Sequence, residues 1–220
     1  MSSKEPGASV SDSDRDAILT AVAAEHFAMQ GVVSTSVNEQ QARASMFLFS
    51  VSGALVALGI LAQSDKFLLF TAAIIPALYL MGLLTTLRLV DVGIESLQSL
   101  VTVAKIRKYY RSLGEPAGSL FEEQLGRWPE GELDSGHVIG KILGVLTTAA
   151  SMIACVNGFI GGAGIAILLY QVARTSLTVS CLVGVLFAIG QIMIVYVYQS
   201  WRFKMIARLA EERELFARSG

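Results

Sequence analysis

The densest cluster of chemically active side chains in the sequence is basic and lies around residue 108. Its members, with the tyrosines between them, are Lys105, Arg107, Lys108, Tyr109, Tyr110 and Arg111. Cations beside aromatic rings suit the phosphate and the base of a nucleotide, and the same charges suit anionic lipid headgroups. A solvated helix end also carries such charges, because they complement the helix macrodipole. Two interpretations stay open: contact with an anionic ligand or lipid, and a solvated helix end.

Two carboxamides, Asn157 and Gln191, are the most polar groups deep inside two long apolar segments. A carboxamide is unfavourable in a nonpolar surrounding unless it forms a hydrogen bond. If the two segments are antiparallel helices, both side chains lie nearer the centre of the membrane than its surfaces. We then expect a hydrogen bond between them. The alternative is that they line a polar pathway.

Motifs for catalysis and for metal binding are missing from the sequence. It has no Gly-Lys phosphate loop, no nucleophile elbow and no metal-ligand spacing, and the glycine-rich run at 158–164 lies inside an apolar segment. Cys155 and Cys181 are interpreted as packing residues. His26 is either a pH-sensing or ligand-contacting imidazole or an amphipathic side chain at the edge of a helix face. We expect no enzyme, no cofactor and no metal.

The elements that position these groups are helices of membrane length. The chain has 220 residues, of which 53% are hydrophobic and 16% charged, against about 25% charged in soluble domains. Crossing a bilayer takes about 20 apolar residues, and four segments qualify: 44–62, 67–87, 142–170 and 176–199. Short connections at 63–66 and 171–175 make the neighbouring segments antiparallel. The predicted fold is an all-α membrane protein whose four transmembrane helices form two hairpins with cytosolic helical extensions.

The predicted organisation alternates membrane and cytosolic parts. A disordered tail is followed by an amphipathic helix that has Asp14 and Asp16 at its start and a weak point at Gly31. The second span continues as a helix past Arg88, and Pro76 within it is either a fixed kink or a gating hinge. The predicted boundaries are 1–13 for the tail, 14–43 for the amphipathic helix, 44–88 for the first hairpin, 89–140 for a cytosolic helix and linker, 141–200 for the second hairpin and 201–220 for a C-terminal helix.

Small residues recur at every fourth position in the third and fourth spans. In a helix this spacing places them on one face, where they let two helices approach closely in lipid. We expect the two faces to pack against each other. The residues are Ala150, Ala154, Gly158 and Gly162 in the third span and Ser180, Gly184 and Ala188 in the fourth.

The distribution of charge predicts the orientation in the membrane. Of the 17 lysines and arginines, only Lys66 and Arg174 fall in the two short connections. By the positive-inside rule, we expect both termini and the middle segment to be cytoplasmic. We also expect the membrane to be a plasma (inner) membrane. The N-terminus lacks the basic and apolar regions of a signal peptide. The net charge of −1 gives no basic field for nucleic acid.

Residues 25–63, EHFAMQGVVSTSVNEQQARASMFLFSVSGALVALGILAQ, resemble the start of a group of uncharacterised bacterial four-span membrane proteins. The plan of two-span hairpins followed by cytosolic helices is similar to that of small membrane effectors of nucleotide-signalled anti-phage systems. The second resemblance implies oligomerisation, a cyclic-nucleotide or protein trigger on the cytosolic side, and permeabilisation of the membrane.

Two hypotheses for function follow from these features. The first is an oligomeric membrane protein that forms a pore or is channel-like, controlled from its cytosolic helices. The second is a non-conducting scaffold that recruits a cytosolic partner. The expected partners are the lipid bilayer, other copies of the chain, and a cytosolic protein or a nucleotide ligand.

Overall fold

The fold is a bundle of long helices. The computed structural model describes residues 12–113, 145 and 147–219, and within these ranges it has four α-helices and no strand. We number them in chain order: α1 is Asp12–Leu61, α2 is Phe67–Arg111, α3 is Ala149–Gln171 and α4 is Leu177–Ser219. The predicted tail up to residue 11 and the predicted linker at 114–140 lie outside the described residues.

Each helix is long and apolar enough to cross a membrane. At about 1.5 Å per residue, the 23 residues of α3 span about 35 Å and the 50 residues of α1 about 75 Å, whereas the hydrocarbon core is about 30 Å thick. The prediction of an all-helical chain with four membrane-length helices is confirmed for the described residues. Helices α1, α2 and α4 are much longer than a membrane crossing requires.

The structure defines two helix boundaries that the sequence leaves approximate. Helix α1 begins at Asp12 and runs through Gly31 without a break, and Met29 and Val32, which flank that glycine, lie beside α2. Helix α3 begins at Ala149 and not at the start of the apolar run at Ile142. The cause is Thr148, which has extended backbone angles and accepts a hydrogen bond from the backbone N–H of Ser151 as an N-cap.

The helices pack in the order α1, α2, α3, α4, each against the next. A compact apolar core lies where α1, α2 and α3 meet, close to the charged ends of the apolar segments. Its buried members are Phe47, Leu89, Val90, Ile94, Ala150 and Ile153. The core therefore joins the helices at one end of the bundle.

Burial is uneven between the two halves of the bundle. In the most apolar window of α1 and of α2, 11% of the residues are buried, against 33% in α3 and 28% in α4. Large apolar side chains of the first two helices are exposed, among them Phe49, Ile60 and Leu69. Within one chain, α3 and α4 are thus the better packed pair, and α1 and α2 leave apolar surface for lipid or for other copies.

Candidate functional site

The small residues of α3 and α4 meet in a seam where backbone approaches backbone. A Cβ atom built on Gly162 would overlap the carbonyl oxygen of Gly184, and one built on Gly184 would meet the carbonyl oxygen of Gly162. One turn further along, a Cβ on Gly158 would lie 3.2 Å from the carbonyl oxygen of Ala188. Glycine is required at Gly162 and Gly184 because the obstacle is main chain and cannot rotate away, whereas at Gly158 an added Cβ would make a tight contact.

The other predicted packing residues lie at the ends of this seam and take different roles. Ala154 is buried, whereas Ala150 belongs to the core shared with α1 and α2. Ser180 is completely buried and shares a hydrogen bond of 2.7 Å with the hydroxyl of Thr175. It also donates to the carbonyl oxygen of Ser176. Ser180 therefore ties the α3–α4 connection to the start of α4.

A second set of close contacts joins α3 to α2, and here side chains enter glycine notches. Atoms of Tyr79 lie 2.6 Å from the position of a Cβ on Gly161, and Ile75 comes equally close to one on Gly164. The glycine run of α3 thus serves two faces. Gly158 and Gly162 lie towards α4 and Gly164 lies towards α2, whereas a Cβ on Gly161 would meet both Tyr79 of α2 and Phe187 of α4. The sequence predicts a single packing feature here and does not predict this division.

Asn157 occupies a third notch, formed by Gly82 of α2. A Cβ on Gly82 would overlap the side-chain oxygen of Asn157 and would lie 2.8 Å from Phe47. Asn157 is 0% exposed, and neither Oδ1 nor Nδ2 has a hydrogen-bond partner. A buried amide without a partner costs roughly 2–7 kcal/mol relative to water. Asn157 is therefore the most unfavourable polar group that we identify at membrane depth.

The expected hydrogen bond between Asn157 and Gln191 does not form, so that prediction is wrong. Gln191 is 8% exposed and its Oε1 has no partner. The reason lies in the helix faces. The side chain of Asn157 is directed at Gly82 on α2, whereas Gln191 is carried by α4. Proximity along two antiparallel helices does not by itself make two side chains meet.

Ion pairs between helices form a charged layer at the end of the apolar segments. The guanidinium of Arg88 on α2 donates to both carboxylate oxygens of Glu39 on α1, at 2.9 and 3.1 Å. Arg202 on α4 donates to Asp91 on α2 at 2.7 Å and lies 5.9 Å from the ring centre of Tyr198. The layer therefore links α1 to α2 and α2 to α4.

The charges around Glu39 change its acidity. Hydrogen bonds from Arg88 and then from Arg43 stabilise the carboxylate and lower its pKa from 4.5 to about 2. Arg88 also reaches Glu95 at 3.4 Å. Glu39 therefore stays ionised at every physiological pH. The sequence gives no signal of this cluster, because Glu39 and Arg88 are 49 residues apart and no local spacing connects them.

A buried polar network holds the start of α3 against α4. The side-chain nitrogen of Gln199 donates to the hydroxyl of Thr148 at 2.8 Å, and its oxygen accepts from the hydroxyl of Ser151 at 3.0 Å. Gln199 is 1% exposed. Beside the network, a groove of about 280 Å³ is lined by residues of all four helices, including Gln40, Gly93 and Phe203. The four helices thus converge at the charged end of the bundle.

The predicted anionic-ligand residues lie far from this layer. Lys105, Arg107, Lys108 and Arg111 are in the last two turns of α2, with Lys105 and Lys108 exposed and the other two half-buried. They are 17 to 23 residues beyond Arg88 in one uninterrupted helix, which is about 25 to 35 Å at the helical rise. Charges at that distance lie beyond the headgroups of a membrane that ends near Arg88, unless the helix is steeply tilted.

Single imidazole and thiol groups are separate from these clusters. The Nε2 atom of His26 lies 2.9 Å from the side-chain nitrogen of Gln30, while Cys155 is half-buried and Cys181 is exposed. No group of three or more His, Cys, Asp or Glu side chains that could hold a metal occurs among the described residues. Comparisons with protein-family models, with characterised proteins and with solved structures find no match for this chain.

Proposed function

We propose that this chain is a channel-like, oligomeric membrane protein that is controlled from helical segments on the cytoplasmic side. One observation carries the proposal: α1, α2 and α4 run without interruption from their membrane-depth segments into long charged segments on the same side. The positive-inside rule favours the cytoplasm for that side. Helices α1 with α2, and α3 with α4, then form two transmembrane hairpins.

The helical extensions are suited to transmit a displacement to the membrane. The part of α1 before residue 44 is 32 residues long, or about 48 Å, and it lies beside the extension of α2. A continuous helix moves as a stiff rod, because bending requires a specific defect. A ligand that shifts the far ends of α1 and α2 therefore shifts the attached spans.

Assembly of several copies supports conduction better than a single chain does. Between α3 and α4 the main chains of Gly162 and Gly184 are in contact, so no water-filled path runs along that seam in this arrangement. Helices α1 and α2 expose most of their apolar surface. A membrane protein can cover such surface with lipid or with neighbouring copies. We place the copies around a common axis, with α1 or α2 facing it.

The trigger that the geometry favours is a soluble anion. The basic cluster at the end of α2, Lys105, Arg107, Lys108 and Arg111, combines positive charge with the rings of Tyr109 and Tyr110, which suits phosphate and base. Its distance from Arg88 favours a nucleotide or another phosphorylated ligand over lipid headgroups. Binding at this end would displace the part of α2 that lies farthest from its membrane-depth segment.

The test combines stoichiometry with conduction. The full chain, purified in nanodiscs, is sized by native mass spectrometry, and the same protein is reconstituted in liposomes for an ion-flux assay with and without cyclic nucleotides. We expect four or more subunits and a flux that rises with ligand. Lys108→Glu should abolish the response to ligand but not assembly, and Lys66→Glu in the opposite short connection is the matched control. Protein that never passes ions, in any oligomeric state, refutes the proposal.

A non-conducting scaffold is the second candidate, and a different observation favours it. The extension of α1 exposes apolar side chains outside the span, with Phe27 71% and Val37 52% exposed. Apolar side chains in water mark a protein-binding surface when they form a contiguous patch, and this candidate requires such a patch on α1. Phe27→Glu should then remove a crosslinked cytosolic partner and leave helix content unchanged. Unchanged crosslinking in this variant counts against the scaffold.

A further inference from the structure

We infer that Asn157 lines a water-filled path through the membrane in an open state of the protein, and that its contact with Gly82 closes this path. The ligands of the site are water and hydrated small ions, because a carboxamide offers both a donor and an acceptor. The inference rests on the proposed channel-like function and assigns the place where it is gated.

The side chain of Asn157 lacks hydrogen bonds in the packed arrangement. Both polar atoms of this completely buried side chain lack a partner. At membrane depth every such group raises the free energy of the structure, because no water is present to replace the missing bond. Contact with water lowers that free energy. The closed packing is thus opposed by Asn157 itself, and polar residues inside membrane spans mark pathways for this reason.

The contacts between the helices indicate that α2 is the helix that moves. The contacts of α2 with α3 are made by side chains. Tyr79 lies against Gly161 and Asn157 against Gly82, and nearer the charged end the apolar core packs α2 against α3. Such side chains can change rotamer as the two helices separate. By contrast, α3 and α4 touch through the main chains of Gly162 and Gly184 and bury about three times the fraction of their apolar windows. Helices α3 and α4 therefore stay together while α2 leaves.

Helix α2 has a hinge at the position where this movement needs one, between the contact of Ile75 and the contact of Gly82. Pro76 lies within α2, on its exposed side and six residues before Gly82. Proline provides no N–H for the carbonyl one turn earlier, so the helix bends there more readily than elsewhere. Ile75, next to the hinge, can stay in contact with Gly164 while the segment that carries Gly82 moves away from Asn157.

The charged layer is connected to the gate, which is the contact between Asn157 and Gly82. Asp91 on the moving part of α2 is paired with Arg202 on α4 at 2.7 Å. Movement of α2 away from α3 and α4 must break this pair, whereas the pair between Glu39 and Arg88 moves with α1 and α2 together. The Asp91–Arg202 pair thus holds the gate closed from the cytoplasmic end.

The experiment measures water access and conduction separately, in the full chain. Two variants change the gate in opposite directions. Asn157→Leu keeps a side chain branched at Cγ but removes the polar atoms, so it should favour the closed packing. Gly82→Ala places a Cβ against Asn157, so it should hold α2 away from α3. Gly190→Ala, where a Cβ meets nothing within 4 Å, is the control.

The first readout is backbone hydrogen exchange of residues 153–160 in nanodiscs, which does not depend on conduction. We expect exchange to become about tenfold faster in Gly82→Ala and about tenfold slower in Asn157→Leu, since exchange follows local opening. The control should match the wild type. Unchanged exchange in both variants overturns the inference. If Gly82→Ala does not fold, Asn157→Leu alone decides.

The second readout is ion flux from liposomes. Asn157→Leu should lose the flux of the wild type, and Gly82→Ala should raise it in the absence of ligand. If the wild type conducts and Asn157→Leu conducts equally well, the inference fails while the proposed function stands. If no form of the wild type conducts, the proposed function fails, and the exchange data then report a water-accessible site without conduction.

Discussion

Replacing Gly162 by alanine tests whether the seam between α3 and α4 holds the bundle together. The added Cβ would overlap the carbonyl oxygen of Gly184 and would lie 3.4 Å from the Cβ of Ala188. Because the obstacle is main chain, no rotamer change relieves the overlap and the two helices must move apart. Overpacking of this kind costs about 1–3 kcal/mol. We expect Gly162→Ala to lower the free energy of unfolding by that amount relative to an alanine placed at a helix position without such an obstacle.

The matched control is Gly190→Ala on α4, where an added Cβ meets nothing within 4 Å. Alanine is a better helix former than glycine by roughly 0.5–1 kcal/mol, so this variant should be neutral or slightly more stable. The same gain applies to Gly162→Ala, so it cancels in the comparison, and the two alanine variants should differ by the overpacking cost alone, about 1–3 kcal/mol. A difference of 1.4 kcal/mol is about a factor of ten in the unfolding equilibrium constant.

The assay is unfolding by sodium dodecyl sulfate in mixed micelles, followed by circular dichroism. The midpoint of Gly162→Ala should fall well below that of the wild type, and the midpoint of Gly190→Ala should not. Equal shifts in the two variants would mean that the effect is one of glycine in helices generally. The close contact between α3 and α4 would then carry no special energetic weight, and the argument for a rigid pair would be refuted.

Three further predictions concern the charged end of the bundle. The pKa of Glu39 is about 2 in the folded protein, below the value of 4.5 in the unfolded chain. Its stabilising contribution is therefore complete above pH 4.5 and is lost as the pH falls towards 2. In Glu39→Gln, the melting temperature should fall less steeply than in the wild type between pH 4.5 and pH 2. Gln199→Leu leaves Thr148 without its interhelical donor and should cost about 1–3 kcal/mol, measured as a lower melting temperature than that of the wild type. Arg202→Gln breaks the pair with Asp91 and should raise ligand-free ion flux, and an unchanged flux would contradict its role in holding the gate.

The unbroken course of α1 was only partly predictable from its residues. The apolar spacing before residue 31 and the apolar run after residue 43 indicate two helical segments, and Gly31 suggests a weak point between them. The structure joins both segments in one helix, since packing against α2 outweighs the local preference of one glycine. Continuity is the feature on which the proposed transmission depends, so this difference matters for function.

The sequence predicts one of the two residues of the candidate gate, Asn157, but not the other, Gly82. The sequence singles out Asn157 because an amide in an apolar run is unusual, and that observation needs no structure. It assigns the wrong partner, because helix spacing predicts the depth of a residue in the bundle but not the neighbour that its face meets. Gly82, which contacts Asn157, has no distinguishing signal in its own segment. Glycines are common in transmembrane helices.

The amino-acid sequence by itself determined that the chain is helical and has four segments able to cross a membrane. Hydropathy and helical periodicity are local properties, and each depends on about 20 consecutive residues. Tertiary structure alone decided which surfaces meet. The Asp91–Arg202 pair joins residues 111 positions apart, and Asn157 reaches α2 only because α3 packs between α2 and α4. Such contacts depend on the rotation and the order of whole helices, which no local pattern encodes.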